Sequence, residues 1–493
     1  MSYCIGADLG TSAIKLTLAD EKGSVIRSIE ESFPLILIKP GYSEQDPSCW
    51  AEALIKGLRK ISENINEDII GIAIDGQMHG LIALDENYKV IRNAILWNDS
   101  RSDKECQYLN QVVGKKTLLS ETGNIAYPGF TLPKIMWMKR NEKSLFKKIR
   151  HIMLPKDYLN FVLTGVIATD YSDAAGTLAF NVKEKKWSEK MIAISGLEES
   201  CFPDVNKTGD YLGTIKEEIR QRCHIKNDVK VYQGAADNAA AALGSGIIED
   251  GACNISLGTS GTILVEKSTY VYDKSGAIHS FNDAQGRYCL LACMLSAASC
   301  FKWLNDEVFR LTDYSEEQRK IKDDKLGRNN VFFLPYLMGE RSPINDIDAK
   351  GMFIGLSLDT DRAALSQAVF EGVCFALKDS FVQLSKMGVK INKSYLTGGG
   401  SRSHLWKKLL SSILNIPLYT VSDAYGPSYG MCITVLVSSG KYSSLSEAKK
   451  GLIEVSEVTY PDLGLVKLYR KQYSRFSKIY PAVKGLFKTL KTR

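Results

Sequence analysis

One short phrase occurs twice in this chain, as Asp8-Leu9-Gly10-Thr11-Ser12 near the start and as Ser256-Leu257-Gly258-Thr259-Ser260 about 250 residues later, a separation of one domain length. Each copy lies between apolar runs: Tyr3 to Ala7 and Ile14 to Ala19 around the first, Cys253 to Ile255 and Thr262 to Val265 around the second. Each therefore reads as the tight turn of a β-hairpin. Gly and small hydroxyl residues at such a turn expose backbone N–H groups which, with the Thr and Ser hydroxyls, make an anion-binding concavity. Only the first copy carries an acid, Asp8. Two such loops on two related domains suit a polyphosphate held between them, with Asp8 offering one side a place for a metal ion. A nucleotide with a divalent cation is the expectation.

The rest of the composition narrows the class. With 493 residues and 44% hydrophobic content, two or three globular domains with ordinary cores are expected. No stretch reaches the apolar length of a membrane span, and Met1-Ser2-Tyr3-Cys4 does not open a signal sequence, so a cytoplasmic protein without a membrane partner is expected. The eleven Cys are scattered without a C-x-x-C pair and read as reduced, buried small hydrophobes; Cys289 and Cys293 have the spacing of one helix face. The net charge of +7 suits an anionic small ligand, but 63 basic residues stand against 56 acidic ones, and nucleic acid is not implied. The basic stretch Val466 to Arg493, with aromatics at helical spacing, reads as a C-terminal helix packed on its domain through the aromatic stripe.

Along the chain, strands are expected near 3–9, 13–20 and 24–33, a helix over Trp50 to Ile61 and a short β-branched strand from Ile69 to Ile74. Strands and helices alternate from there, which argues α/β. After about residue 245 the order restarts with the second hairpin, then helices at Leu291 to Trp303 and Arg362 to Met387 and a strand at Ser394 to Thr397. The boundary falls near Gly244-Ser245-Gly246, giving domains 1–245 and 246–493 that meet across a cleft.

Neither a G-x-x-x-x-G-K-[ST] loop nor a G-x-G-x-x-G turn is present. The remaining glycine-rich element, Gly398-Gly399-Gly400-Ser401, leaves an apolar strand and enters a helical pattern, a setting for close backbone approach by a nucleotide. Asp237 and Asn238 stand among small residues just before an Ala-rich segment. Asp237 taken alone reads as an N-cap, a role compatible with that of a general base for an attacking hydroxyl, and a helix dipole would keep it ionised and weakly basic. Gly76-Gln77-Met78-His79 and Trp97-Asn98-Asp99 leave two further apolar strands, and their mixed donors and acceptors beside Met and Trp suit a polyol or sugar pocket.

In order and over most of the chain these pieces resemble the FGGY carbohydrate kinases. The resemblance also takes in Gly129-Phe130-Thr131-Leu132-Pro133-Lys134, Leu154-Pro155-Lys156-Asp157-Tyr158, Ser172-Asp173-Ala174-Ala175-Gly176-Thr177, Gly339-Glu340-Arg341 and Phe370-Glu371-Gly372. It implies a duplicated actin-like or hexokinase-like (ribonuclease H-like) α/β fold with an interdomain cleft, and ATP-dependent phosphorylation of D-xylulose to D-xylulose 5-phosphate with Mg²⁺. It further implies Asp237 as catalytic base, Met78, His79 and Asn238 as sugar contacts with Trp97, Asn98 and Asp99 on the sugar-side wall, and Asp8 at the metal. Thr11, Ser12 and Thr259 would flank the phosphates, and Gly398, Gly399, Gly400 and Ser401 would lie along the nucleotide. A homodimer is left open.

Three places depart from the family pattern. Asp75 stands where a small residue is usual, a carboxylate that would change which sugar hydroxyls are accepted and so leaves room for another ketopentose, a pentitol or a deoxy sugar. Ala364 replaces a polar residue near the start of the helix leading to Glu371, with an expected loss of capping. Gly426-Pro427-Ser428-Tyr429-Gly430-Met431 is bulkier than usual after the adenine site, which puts nucleotide affinity in question. A non-enzymatic actin-like ATPase would share the paired phosphate loops, but has no need of Gln77-Met78-His79 or Asp237-Asn238.

Overall fold

A computed structural model describes residues 2–65, 69–311, 313–422 and 425–490. The first repeated turn joins Tyr3–Leu9 to Ala13–Asp20 in an antiparallel hairpin, which Val25–Ser32 extends. Ile69–Gly76 lies parallel on the other side of Tyr3–Leu9, with Lys230–Tyr232 parallel beyond it and Tyr211–Thr214 at the edge, which completes six strands. Both faces of this sheet are covered, and Ile5, Leu9, Ile72 and Ile74 are all wholly buried. One cover is the helix Pro47–Ile61, opened by Asp46, whose carboxylate accepts from the Ser48 N–H at 2.9 Å, and by a proline in its first turn.

The second turn builds the same plan again. Cys253–Leu257 and Gly261–Lys267 form the hairpin, Tyr288–Met294 and His279–Asn282 extend it, and Ser394–Thr397 lies parallel to Cys253–Leu257. Leu418–Val421 and Val455–Thr459 complete seven strands. The run from Leu291, expected as helix, is therefore strand as far as Met294; the helix is Ala298–Trp303. Cys289 and Cys293 lie on that strand, not on a helix, and all eleven cysteines are free. The C-terminal segment forms two helices, Leu463–Phe476 and Ile479–Phe487, docked through buried Tyr469, Phe476 and Phe487; residues 491–493 lie outside the described ones. No helix among the described residues is long and apolar enough to cross a membrane.

The two halves are laced together by helices that cross at small residues. Pro427–Ser438, from the second half, lies on the first sheet and against Asp237–Gly244. A Cβ on Gly430 would come within 2.1 Å of the Ala240 carbonyl oxygen, so the alanine-rich character of the helix after Asp237 is a packing requirement of this crossing. Tyr429 turns away from the strand ends into the core, where its hydroxyl donates to the carbonyls of Gly23 and Leu452 at 2.9 and 3.2 Å. The bulk of Tyr429 is thus absorbed by the core. Ala364 costs no cap either, because Asp361 accepts from its N–H at 2.8 Å and opens the helix Arg362–Lys386.

Candidate active site

The parallel strands of the first sheet end side by side, the place where open α/β sheets present ligand-binding groups. Asp8 lies at the end of Tyr3–Leu9, Gln77-Met78-His79 follows Ile69–Gly76, and Gln233 to Asp237 follows Lys230–Tyr232. Asp237 is the first residue of its helix and makes no cap bond. Its Oδ1 accepts from the backbone and side-chain nitrogens of Asn238 at 2.6 and 2.8 Å. Burial, and secondarily the Asp8 carboxylate, push the Asp237 carboxyl up to about 7. This departs from the expectation of a weakly basic carboxylate: desolvation outweighs the helix dipole and brings the group near neutrality.

Asp75 is paired in register with Asp8 on the neighbouring strand, wholly buried, and its carboxyl oxygens meet no hydrogen-bond donor among the described residues. Burial, and then the Asp8 and Asp237 carboxylates, raise its proton affinity well above the usual carboxylate range. It lies beside Asp8 and does not line the cavity between the halves.

A cavity of about 790 Å³ opens between the two halves, lined by Trp97, Tyr127 and Gly129 from the first and by Leu295, Glu340 and Arg341 from the second. His79 lies behind it, joined to the lining residue Gly129 through Lys134, whose Nζ donates to both carbonyls. Its Nδ1 lies 2.6 Å from the Gly176 carbonyl oxygen, and burial holds the ring neutral by lowering its pKa to about 3. Nδ1 therefore bears the hydrogen and Nε2 is the free acceptor. The ring stands edge-on to Phe130 with centroids 4.8 Å apart. Met78 packs beside Asn238, with Sδ 3.7 Å from Nδ2. Trp97 is exposed, as is Asn98 at the rim. Asp99 is sealed and fully engaged: it accepts from the Ser43 N–H at 2.6 Å and binds Arg101 through both oxygens. With Trp97 and Asn98 it lines the cavity.

The first phosphate loop is tied to this wall. Trp97 Nε1 donates to Thr11 Oγ1 at 3.0 Å, and Thr11 Oγ1 donates to Gln77 Oε1 at 3.3 Å. Buried Gln45 closes the circuit, donating to the Thr11 carbonyl at 2.7 Å and accepting from Trp50 Nε1 and Gln77 Nε2. Ser12 is exposed beside Thr11, and Thr259 is exposed on the second loop, where its carbonyl accepts from the Ala297 N–H at 2.9 Å. The glycine triplet divides. A Cβ on Gly398 or Gly400 would come within 2.8 or 2.4 Å of Leu257, whereas nothing lies within 4 Å of one on Gly399. Ser401 is buried and spends its hydroxyl on the Gly398 carbonyl at 2.7 Å. Gly398 and Gly399 are exposed, Gly400 is buried, and only at Gly399 of the three is there room for a side chain.

Other residues of the site carry no motif that chemistry alone would flag. Lys156 is wholly buried with three carboxyls, Asp157, Asp170 and Asp173, at 2.5, 3.0 and 3.2 Å. Asp170 accepts from Ser172 Oγ, which itself accepts from the Ala236 N–H at 2.9 Å, so the cluster supports the residue before Asp237. Arg341 lies with its guanidinium 5.3 Å from the Tyr127 ring. A Mg²⁺ ion fits this setting: Asp8 is half-buried at the cleft, and Asp8, Asp75 and Asp237 crowd one another, leaving negative charge that a cation would offset. No group of three or more potential metal ligands is found among the described residues, which suits an ion held by one or two carboxylates together with phosphate oxygens.

The order of elements is that of known sugar kinases. The N-terminal domain of the FGGY family of carbohydrate kinases matches residues 3–244 and its C-terminal domain residues 253–439; the chain belongs to this family. It is 34% identical to a xylulose kinase of Staphylococcus xylosus over 482 residues, 97% of this chain and 100% of the relative. It is likewise 34% identical to a xylulose kinase of Bacillus subtilis, covering 100% of this chain and 99% of the relative. A ligand-bound xylulose kinase from Lactobacillus acidophilus superposes with a TM-score of 0.95 at 26% identity, covering 100% of both chains. The chain thus has the duplicated two-domain architecture of hexokinase-like and actin-like ATPases and is a sugar kinase.

Proposed function

We propose that the chain transfers the γ-phosphoryl group of ATP to D-xylulose, giving D-xylulose 5-phosphate and ADP. The observation that carries this reading is the placement of Asp237, raised to about 7, beside Asp8 and Asn238, with Met78 against Asn238. Relatives called xylulose kinases match over nearly the whole chain, which supports the choice of sugar. Asn238 and His79 orient the sugar, and Asp237 accepts the proton of the attacking hydroxyl as its oxygen bonds to the γ-phosphorus and the bond from that phosphorus to the β-bridging oxygen breaks. Phosphoryl transfer passes through a loose transition state, so positioning contributes more than strong proton abstraction.

Thr11 and Ser12 on one side and Thr259 on the other flank the phosphates, and Gly399 lies along the nucleotide. The Trp97 to Thr11 hydrogen bond couples the sugar wall to the first phosphate loop. Mg²⁺ held at Asp8 would offset charge on the phosphates. Residues 1–245 form the sugar-binding domain and 246–493 the nucleotide domain, which close on one another to exclude water. With ATP as donor, the reaction belongs in the cytoplasm. Asp237→Ala tests the base: turnover falls by at least about 100-fold while the circular dichroism spectrum and ATP affinity stay as in the parent. Activity within a few-fold of the parent would refute the assignment.

A further inference from the structure

Lys134 is a buried cation with no obvious reason to be there. It sits in the first turn of the helix Thr131–Asn141, its side chain wholly enclosed, and it forms no ion pair among the described residues. Burial lowers its pKa to about 7. A lysine in such a place costs stability relative to an apolar residue of similar length, so what its ammonium touches matters. Among the described residues its Nζ donates to two carbonyls only, that of His79 at 2.7 Å and that of Gly129 at 2.6 Å.

Both carbonyls belong to the sugar wall. His79 has φ +70°, a left-handed backbone unusual for a residue with a side chain, and such a conformation persists only when its surroundings impose it. Thr131 Oγ1 donates to the same His79 carbonyl at 3.1 Å, so the peptide is gripped by two donors from the first turn of one helix. The imidazole is fixed separately by Gly176. At the other carbonyl, Gly129 lies so close to Trp97 that a Cβ would come within 2.7 Å of the Trp97 carbonyl oxygen. One ammonium therefore ties the segment bearing His79 to the segment backing Trp97.

We propose that Lys134 is a positioning residue for sugar recognition, holding the His79 peptide in its left-handed conformation so that Nε2 faces the sugar, and fixing Gly129 behind Trp97. This rests on the reading of His79 as a sugar contact. The test is a mutant cycle of Lys134→Met, His79→Ala and the double variant, reading KM for D-xylulose and for ATP separately. Lys134→Met is expected to raise the sugar KM by about tenfold, the scale of a hydrogen bond from a charged donor, with the ATP KM within about twofold of the parent. In the His79→Ala background the same change should add less than about threefold, because the lysine acts through the histidine. Full additivity, or equal effects on both KM values, would refute the positioning role. An unchanged sugar KM in His79→Ala would remove the site reading itself, whereas a raised one beside a normal Lys134→Met would remove the proposal alone. Should Lys134→Met not fold, Thr131→Val takes its place: it deletes the second donor to the His79 carbonyl and is expected to raise the sugar KM about threefold, again not in the His79→Ala background, and a sugar KM equal to the parent's would refute the proposal.

Discussion

If Asp237 is the base, its ionisation should be visible in the pH dependence of turnover near neutrality. The carboxyl is lifted from its ordinary 3.8 to about 7, first by burial and then by the Asp8 charge, and the two Asn238 hydrogen bonds only partly offset this. A base works in its deprotonated form. With a pKa of about 7 it is about one-tenth ionised at pH 6 and about nine-tenths ionised at pH 8, so rate should climb roughly ninefold across that interval and fall tenfold per unit below it. An ordinary surface carboxylate would already be fully ionised at pH 6 and leave the profile flat. The assay is ADP formation with both sugar and MgATP well below saturation, so that the limb reports the free enzyme. A profile level from pH 6 to 8, or an acid limb near pH 4, would refute the placement of the base in a desolvated pocket beside Asp8.

Asp75→Asn removes a buried ionisable group whose proton affinity the fold raises. Because its folded-state pKa is raised, the parent loses stability as pH rises above the unfolded value near 4; the variant should melt higher than the parent at pH 8, with the gap shrinking towards pH 5, and equal melting temperatures at both pH values would count against a buried carboxyl of raised proton affinity. The glycine triplet gives opposite outcomes at adjacent positions. Gly400→Ala brings a Cβ within 2.4 Å of Leu257 and should cost about 1–3 kcal/mol by overpacking, read by urea denaturation. Gly399→Ala, with open space around it, should leave stability unchanged and raise the ATP KM; a normal ATP KM would take Gly399 out of the nucleotide site.

Much of this was legible before the fold was known because the repeated Gly-Thr-Ser turn is a local signal. Glycine and hydroxyl residues between apolar runs specify a hairpin whatever surrounds them, and both hairpins form at the expected residues. The run Cys289 to Met294 misled because a strand covered on both faces is apolar throughout and lacks the alternation that separates strand from helix. Asp75 was misplaced for a related reason. Its pairing with Asp8 is a matter of strand register between segments more than 60 residues apart, which no local pattern encodes.

The supporting residues were hidden more deeply. Gln45 and Lys134 act on backbone carbonyls of Thr11, His79 and Gly129, and a carbonyl has no identity in a sequence. Arg341 and the carboxyls around Lys156 lay inside recognisable phrases, yet their partners come from other parts of the chain. Ser401 and Asp99 show the converse: their chemistry suits a ligand, but the fold spends their polar atoms internally.

The central claim is that ATP turnover by this chain serves a sugar acceptor. Its most direct test is the rate of ADP formation with MgATP across a panel of ketopentoses, pentitols, deoxy sugars and aldonates, with a sugar-free control. Turnover should depend on added sugar, with D-xylulose giving the highest kcat/KM. Sugar-independent hydrolysis at the same rate, or another sugar ranking first, would contradict the account.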